Sequence, residues 1–255
     1  MEKKRLHLVD EYRGFWIINM IIYHGIWDLV YIFNCNWKWF RSDIAFIWQQ
    51  AICWSFIFIS GFCWQMSKHN LKRGLQVFAG GMLVTIMTLI FMPNSRVVFG
   101  VLTLLGSAMI LMVPCHKLFC KINPWIGAFV SFLLFLIVYP VNDGYLGLGE
   151  IELLVLPREL YSGWIGSFLG FTAPGFWSTD YFSILPWFLL YIVGYFAYGI
   201  LFRGEEGMKK QGIKKLMEKS YCPSLGWVGR NALIIYLLHQ PVVYGILFLW
   251  NELRT

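Results

Sequence analysis

Seven stretches of this chain, at about 14–33, 44–66, 74–92, 97–115, 122–140, 183–203 and 225–249, are each roughly 20 residues long and mostly apolar. Each is bounded by Pro, Gly, Asn or a cluster of Lys and Arg. A helix rises about 1.5 Å per residue and the hydrocarbon layer of a bilayer is about 30 Å thick, so a run of this length is what a spanning helix needs. A water-soluble core cannot absorb the remainder: 58% of the 255 residues are hydrophobic and 14% charged, against about 25% charged in an ordinary soluble domain. The expected fold class is therefore all-α: a polytopic membrane protein of about seven transmembrane helices, one domain over residues 1–255.

Charge placement orients the bundle. With a cytoplasmic N-terminus, alternating loops put every basic residue on the cytoplasmic side except Lys38, Arg41, Arg96, Arg158 and Arg254, out of 21. The formal charge of +7 then reflects topology and contact with anionic lipid rather than nucleic-acid binding. Lys3-Lys4-Arg5 precedes a long apolar run that lacks a small-x-small cleavage site, so the segment is expected to stay as a signal anchor. The pattern suits an integral protein of the plasma (inner) membrane of a bacterial cell. Six cysteines make no CxxC pair, and Cys115-His116 with Cys120 has no fourth ligand, so no disulfide framework and no metal is expected.

Most connections are short, which favours antiparallel neighbours. Two are long. The outer loop, about 141–182, carries Asp143, Glu150, Glu152, Glu159 and Asp180 against Arg158 and is expected on the membrane surface or dipping into the bundle. The cytoplasmic basic loop, about 204–222, reads as an amphipathic helix with paired lysines at 209–210 and 214–215, able to hold an anionic ligand. Neither half of the chain repeats the other, whereas such repeats usually mark a secondary transporter.

Chemistry inside such a bundle must come from costly intramembrane polar groups. His24 and Asp28 lie four apart on one helix face, where a carboxylate could fix the imidazole tautomer and raise its basicity. Arg13, eleven residues before His24, returns to within about 20° of it and lies about 16 Å away along the axis. A guanidinium at the inner edge suits a phosphate, and an imidazole near mid-membrane suits a reacting carbonyl or hydroxyl, so a long ligand with phosphate at one end would fit. Taken singly, His24 also fits a structural histidine and Arg13 a positive-inside anchor. The last segment holds a second polar set: Arg230 and Asn231 at its inner end, Tyr236, His239 and Gln240 further out. Ser60-Gly61, Gly100, Gly106-Ser107 and Gly194 allow close helix approach, and Pro186-Trp187 is expected to anchor at the interface.

Val9-Asp10-Glu11-Tyr12-Arg13-Gly14, Met20, His24-Gly25 and Trp27-Asp28 resemble the first helix of the heparan-alpha-glucosaminide N-acetyltransferase catalytic-domain family. Phe58-Ile59-Ser60-Gly61-Phe62, Phe99-Gly100-Val101-Leu102, Gly229-Arg230-Asn231-Ala232-Leu233 and Tyr236-Leu237-Leu238-His239 extend the likeness from residue 5 to about 245. The Arg13 to His24 spacing also resembles related membrane acyltransferases that decorate surface polysaccharides. The resemblance implies a transmembrane acyltransferase that moves an acetyl group from cytoplasmic acetyl-CoA to an amine or hydroxyl of an extracytoplasmic sugar or glycan. By motif position it makes His24 the catalytic base or transient acyl acceptor, Asp28 its orienter and Arg13 a coenzyme A contact. His239, Arg230 and Asn231 would line the same cavity, and Ser60 is grouped with the acetyl-CoA contacts. Which histidine acts, His24 or His239, stays open at this level. A homo-oligomer completing the cavity belongs to the same expectation. The alternative from another class is a small transporter, flippase or membrane sensor that uses His24 and Asp28 for binding or proton relay.

Overall fold

The computed structural model describes residues 5–203 and 208–253. Its helices are α1 His7–Tyr31, α2 Asp43–Trp64, α3 Asn70–Phe91, α4 Val101–Phe119, α5 Pro124–Val138, α6 Gly163–Leu169, α7 Ile184–Phe202, α8 Met208–Glu218, α9 Pro223–Arg230 and α10 Ala232–Glu252. Between α5 and α6 lie two antiparallel strands, β1 Tyr145–Leu148 and β2 Ile151–Val155, with a register shift at Leu146/Gly147. The protein is mostly helical, and a hairpin occupies part of the outer loop.

Among the described residues five segments are long and apolar enough to cross a membrane: α2, α3, α4, α5 with the turn that follows it, and α10. Two of the seven expected segments do not meet that standard, for different reasons. In α1 the polar groups of Asn19, His24 and Asp28 dilute the apolar run. In α7 the backbone at Leu185 is extended, which leaves a continuous helix only over Trp187–Phe202. The expected final span is two helices, broken at Asn231, whose φ of −99° and ψ of 18° leave the helical region. The fourth span starts later than expected, because residues 97–100 are a bend with Phe99 at a φ of 56°, held against the outer loop: Val98 N–H donates to Ser178 Oγ at 2.9 Å and Phe182 N–H to the Phe99 carbonyl at 2.8 Å. Asp180, one of the acidic loop residues, accepts from Val101 N–H at 3.2 Å and so caps α4.

The chain divides into two compact units, Met1–Phe56 with Gly204–Thr255, and Ile57–Arg203. The second unit is held by small residues where helix backbones meet. A Cβ on Gly61 would lie 1.9 Å from the Tyr191 carbonyl oxygen, one on Gly194 would lie 2.0 Å from that of Phe58, and one on Gly106 would strike the Phe78 backbone. Trp187 is buried against Phe135, Tyr139 and Phe182 rather than anchoring an interface. His116 Nδ1 and the Tyr195 hydroxyl share a hydrogen bond of 2.7 Å across α4 and α7.

In the first unit α1 packs on α2, α9 and α10, and Gly14 and Gly229 form the crossing of α1 with α9. Glu11, below the apolar part of α1, is 5% exposed and ties down the start of α9. The Ser220 hydroxyl donates to its Oε1 at 2.7 Å, and Tyr221 N–H donates to Oε1 at 2.9 Å. Burial alone would raise this carboxyl, but the Ser220 hydroxyl and the Cys222 and Tyr221 N–H groups outweigh it and hold the pKa below its ordinary value. A depressed carboxylate contributes stability above its unfolded pKa, about 4.3, and loses it as pH falls through the folded value. The melting temperature in detergent should therefore drop more steeply below about pH 4.3 in wild type than in Glu11→Gln, which lacks the titration. Parallel curves for the two proteins would refute this.

Candidate active site

His24 and Asp28 sit one helical turn apart on α1, and both meet α10. The His24 and His239 rings lie 5.0 Å apart between centroids, tilted by 56°. Gln240, next to His239, donates from Nε2 to Asp28 Oδ1 at 2.8 Å. Gly25 faces α10 at this level, where a Cβ on it would stand 3.4 Å from Val243 Cγ1.

The hydrogen-bond pattern fixes the state of one imidazole. His239 Nδ1 lies 2.5 Å from the Tyr236 carbonyl oxygen, which can only accept, so Nδ1 carries the proton. In the neutral imidazole Nε2 then keeps its lone pair. That atom is buried without a hydrogen-bond partner, and the residue is 9% exposed. Among the described residues His24 forms no hydrogen bond through its ring, which pairs T-shaped with Tyr23 and tilted with His239. Asp28 is 0% exposed; its Oδ2 and the Oε1 of Gln240 are both buried and unpartnered. Three hydrogen-bond acceptors thus stand buried along the contact of α1 with α10 with no donor assigned to them. A ligand bringing N–H or O–H groups would relieve them, since an unsatisfied buried polar group costs about 1–3 kcal/mol.

The sequence places other residues here that the structure puts elsewhere. The expected His24 to Asp28 contact is not formed, because Asp28 bonds to Gln240. Arg13 Nη1 donates to the Gly229 carbonyl at 3.1 Å and stands 3.5 Å from Asp10 Oδ1, with 21% of its side chain exposed. It ties α1 to α9. Arg230 is exposed at the end of α9, and Asn231 Nδ2 donates to the Trp227 carbonyl at 2.9 Å, closing the helix it follows. Ser60 belongs to the other unit, where its hydroxyl sits beside that of Tyr191 without reaching hydrogen-bond geometry. Gln240 is the residue whose role the sequence missed. Its signal was present: an amide next to a histidine in an otherwise apolar run.

Among the described residues no group of three His, Cys, Asp or Glu side chains could hold a metal ion. The family model described as heparan-alpha-glucosaminide N-acetyltransferase, catalytic, matches residues 5–241. No curated protein and no solved structure matches the chain. With the match covering the histidine pair, Asp28, Gln240 and nearly all of the chain, this integral membrane protein belongs to the heparan-alpha-glucosaminide N-acetyltransferase catalytic-domain family and is a transmembrane acetyltransferase.

Proposed function

We propose that the protein takes an acetyl group from cytoplasmic acetyl-CoA and delivers it to an amine or hydroxyl of an extracytoplasmic sugar or glycan. In this reading the chain lies in a bacterial plasma (inner) membrane with its N-terminus in the cytoplasm. The observation that carries the proposal is the pair His24 and His239, with the Nε2 lone pair of His239 buried and unpartnered beside Asp28 and Gln240. His239 is the better-prepared base of the two.

A neighbouring N–H or O–H of the acceptor is held by Asp28 Oδ2 or Gln240 Oε1, while its reacting amine or hydroxyl loses a proton to a histidine nitrogen as it attacks the thioester carbonyl. The carbon–sulfur bond breaks, and the thiolate leaves with a proton returned by the imidazolium. The second imidazole gives this chemistry a two-step variant, in which one ring takes the acetyl group as an acetyl-histidine and the other deprotonates the acceptor. Arg13 lies eleven residues before His24 on the same uninterrupted helix, about 16 Å along the axis, a separation suited to the pantetheine arm between thioester and pyrophosphate.

The test needs no knowledge of the acceptor. Purified protein in detergent is expected to bind acetyl-CoA in the micromolar range and to release free coenzyme A slowly, with the release lost in His24→Ala. Absence of binding at millimolar acetyl-CoA would overturn the reading, and undiminished release by His24→Ala would remove that residue from the mechanism.

A further inference from the structure

A second polar site lies at the other end of α1. Arg5, His7, Lys215, Glu218 and Lys219 line a cavity of about 390 Å³ between the start of α1 and the end of α8. Three permanent cations face one carboxylate. Among the described residues neither Lys215 nor Lys219 enters an ion pair, and Lys219 Nζ lies 5.2 Å from the centre of the Tyr221 ring. Arg5 gives only its Nε to Asp10, at 2.6 Å, and its side chain is 55% exposed. Two other acids of α1 are occupied: Asp10 by Arg5 and Arg13, Glu11 by the start of α9. The first turn of α1 has no side-chain cap, so its free N–H groups add to the positive field.

We propose that this cavity binds a phosphate monoester dianion. A carboxylate would leave most of these donors unused, whereas a terminal phosphate offers three oxygens to two ammonium groups and a guanidinium. Two sources carry that group. His7 precedes His24 by 17 residues, about 26 Å on one helix, so a donor with its thioester at the histidines would place the 3′-phosphate of its nucleotide here. A phosphatidic acid headgroup presents the same chemistry from the bilayer. The nucleotide source rests on the proposed function; the anion site does not.

The experiment compares wild type with the double variant Lys215→Gln/Lys219→Gln, both in exposed positions where folding is little affected. With acetyl-CoA and its 3′-dephospho analogue as donors, wild type is expected to favour the phosphorylated donor by about tenfold in KM, a preference lost in the double variant at unchanged kcat. An equal donor preference in both proteins, combined with loss of binding to phosphatidic acid vesicles in the variant alone, assigns the site to lipid. Direct binding of adenosine 3′,5′-bisphosphate and of phosphatidic acid vesicles to the full chain needs no turnover. Should neither protein turn over acetyl-CoA while wild type alone binds one of these probes, the site stands and the acetyl-CoA reading fails. Equal binding of both probes by both proteins overturns the site.

Discussion

Replacing His239 with alanine is expected to lower kcat for acetyl transfer by about 10²–10⁴, the usual contribution of a positioned general base, with little change in KM for acetyl-CoA. The expectation follows from the bond between His239 Nδ1 and the Tyr236 carbonyl, which leaves Nε2 unprotonated and buried without a partner. A structural histidine would spend both nitrogens on the fold. The measurement is steady-state kinetics on wild type, His239→Ala and His24→Ala, paired with mass spectrometry of the protein after mixing with acetyl-CoA alone. If the transfer is direct, neither variant retains an acetyl group. If His24 carries it transiently, His239→Ala becomes acetylated and stalls. A His239→Ala protein with wild-type kcat would remove His239 from the chemistry.

The second large effect is on folding. Gly229→Ala should destabilise the first unit by about 1–3 kcal/mol, and more if the helices cannot slide. A Cβ there would lie 1.8 Å from the Asp10 carbonyl oxygen, 2.8 Å from its carbon and 2.9 Å from Gly14 N. All three are backbone atoms of α1, so no side-chain rotation relieves the overlap. Gly245→Ala is the matched control, because that glycine lies within α10 and a Cβ on it meets nothing within 4 Å. It should gain roughly 0.5–1 kcal/mol from reduced backbone entropy in the unfolded state. Thermal unfolding in one detergent compares both with wild type; equal melting temperatures for Gly229→Ala and Gly245→Ala would sink the packing account.

Helix placement was readable because membrane length imposes a coarse, robust period on sequence. Close approach at Gly61, Gly106 and Gly194 was readable for a similar reason, since small residues in an apolar helix have few other uses. What the sequence concealed were the details set by a neighbouring helix. His24 and Asp28 are four apart on one helix face and look like a pair, yet Gln240 of α10 captures the carboxylate, a partner that spacing along α1 does not register. The break at Asn231 sits between two helix-forming stretches and is fixed by the Asn231 amide turning back to Trp227, a local competition that hydropathy does not register. The strand Ile151–Val155 escaped for the opposite reason: every residue in it is exposed, so it shows no alternation of apolar and polar positions.

Helix α1 runs from His7 to Tyr31 without a proline or an internal break. Groups along it are therefore spaced by the helix rise and cannot drift relative to one another when a ligand arrives. Any molecule that touches both its first turn and His24 is selected by span before it is selected by composition. Under the proposed function the helix acts as a gauge: an acyl thioester on a shortened arm would fail at one end or the other, however well each end is recognised alone.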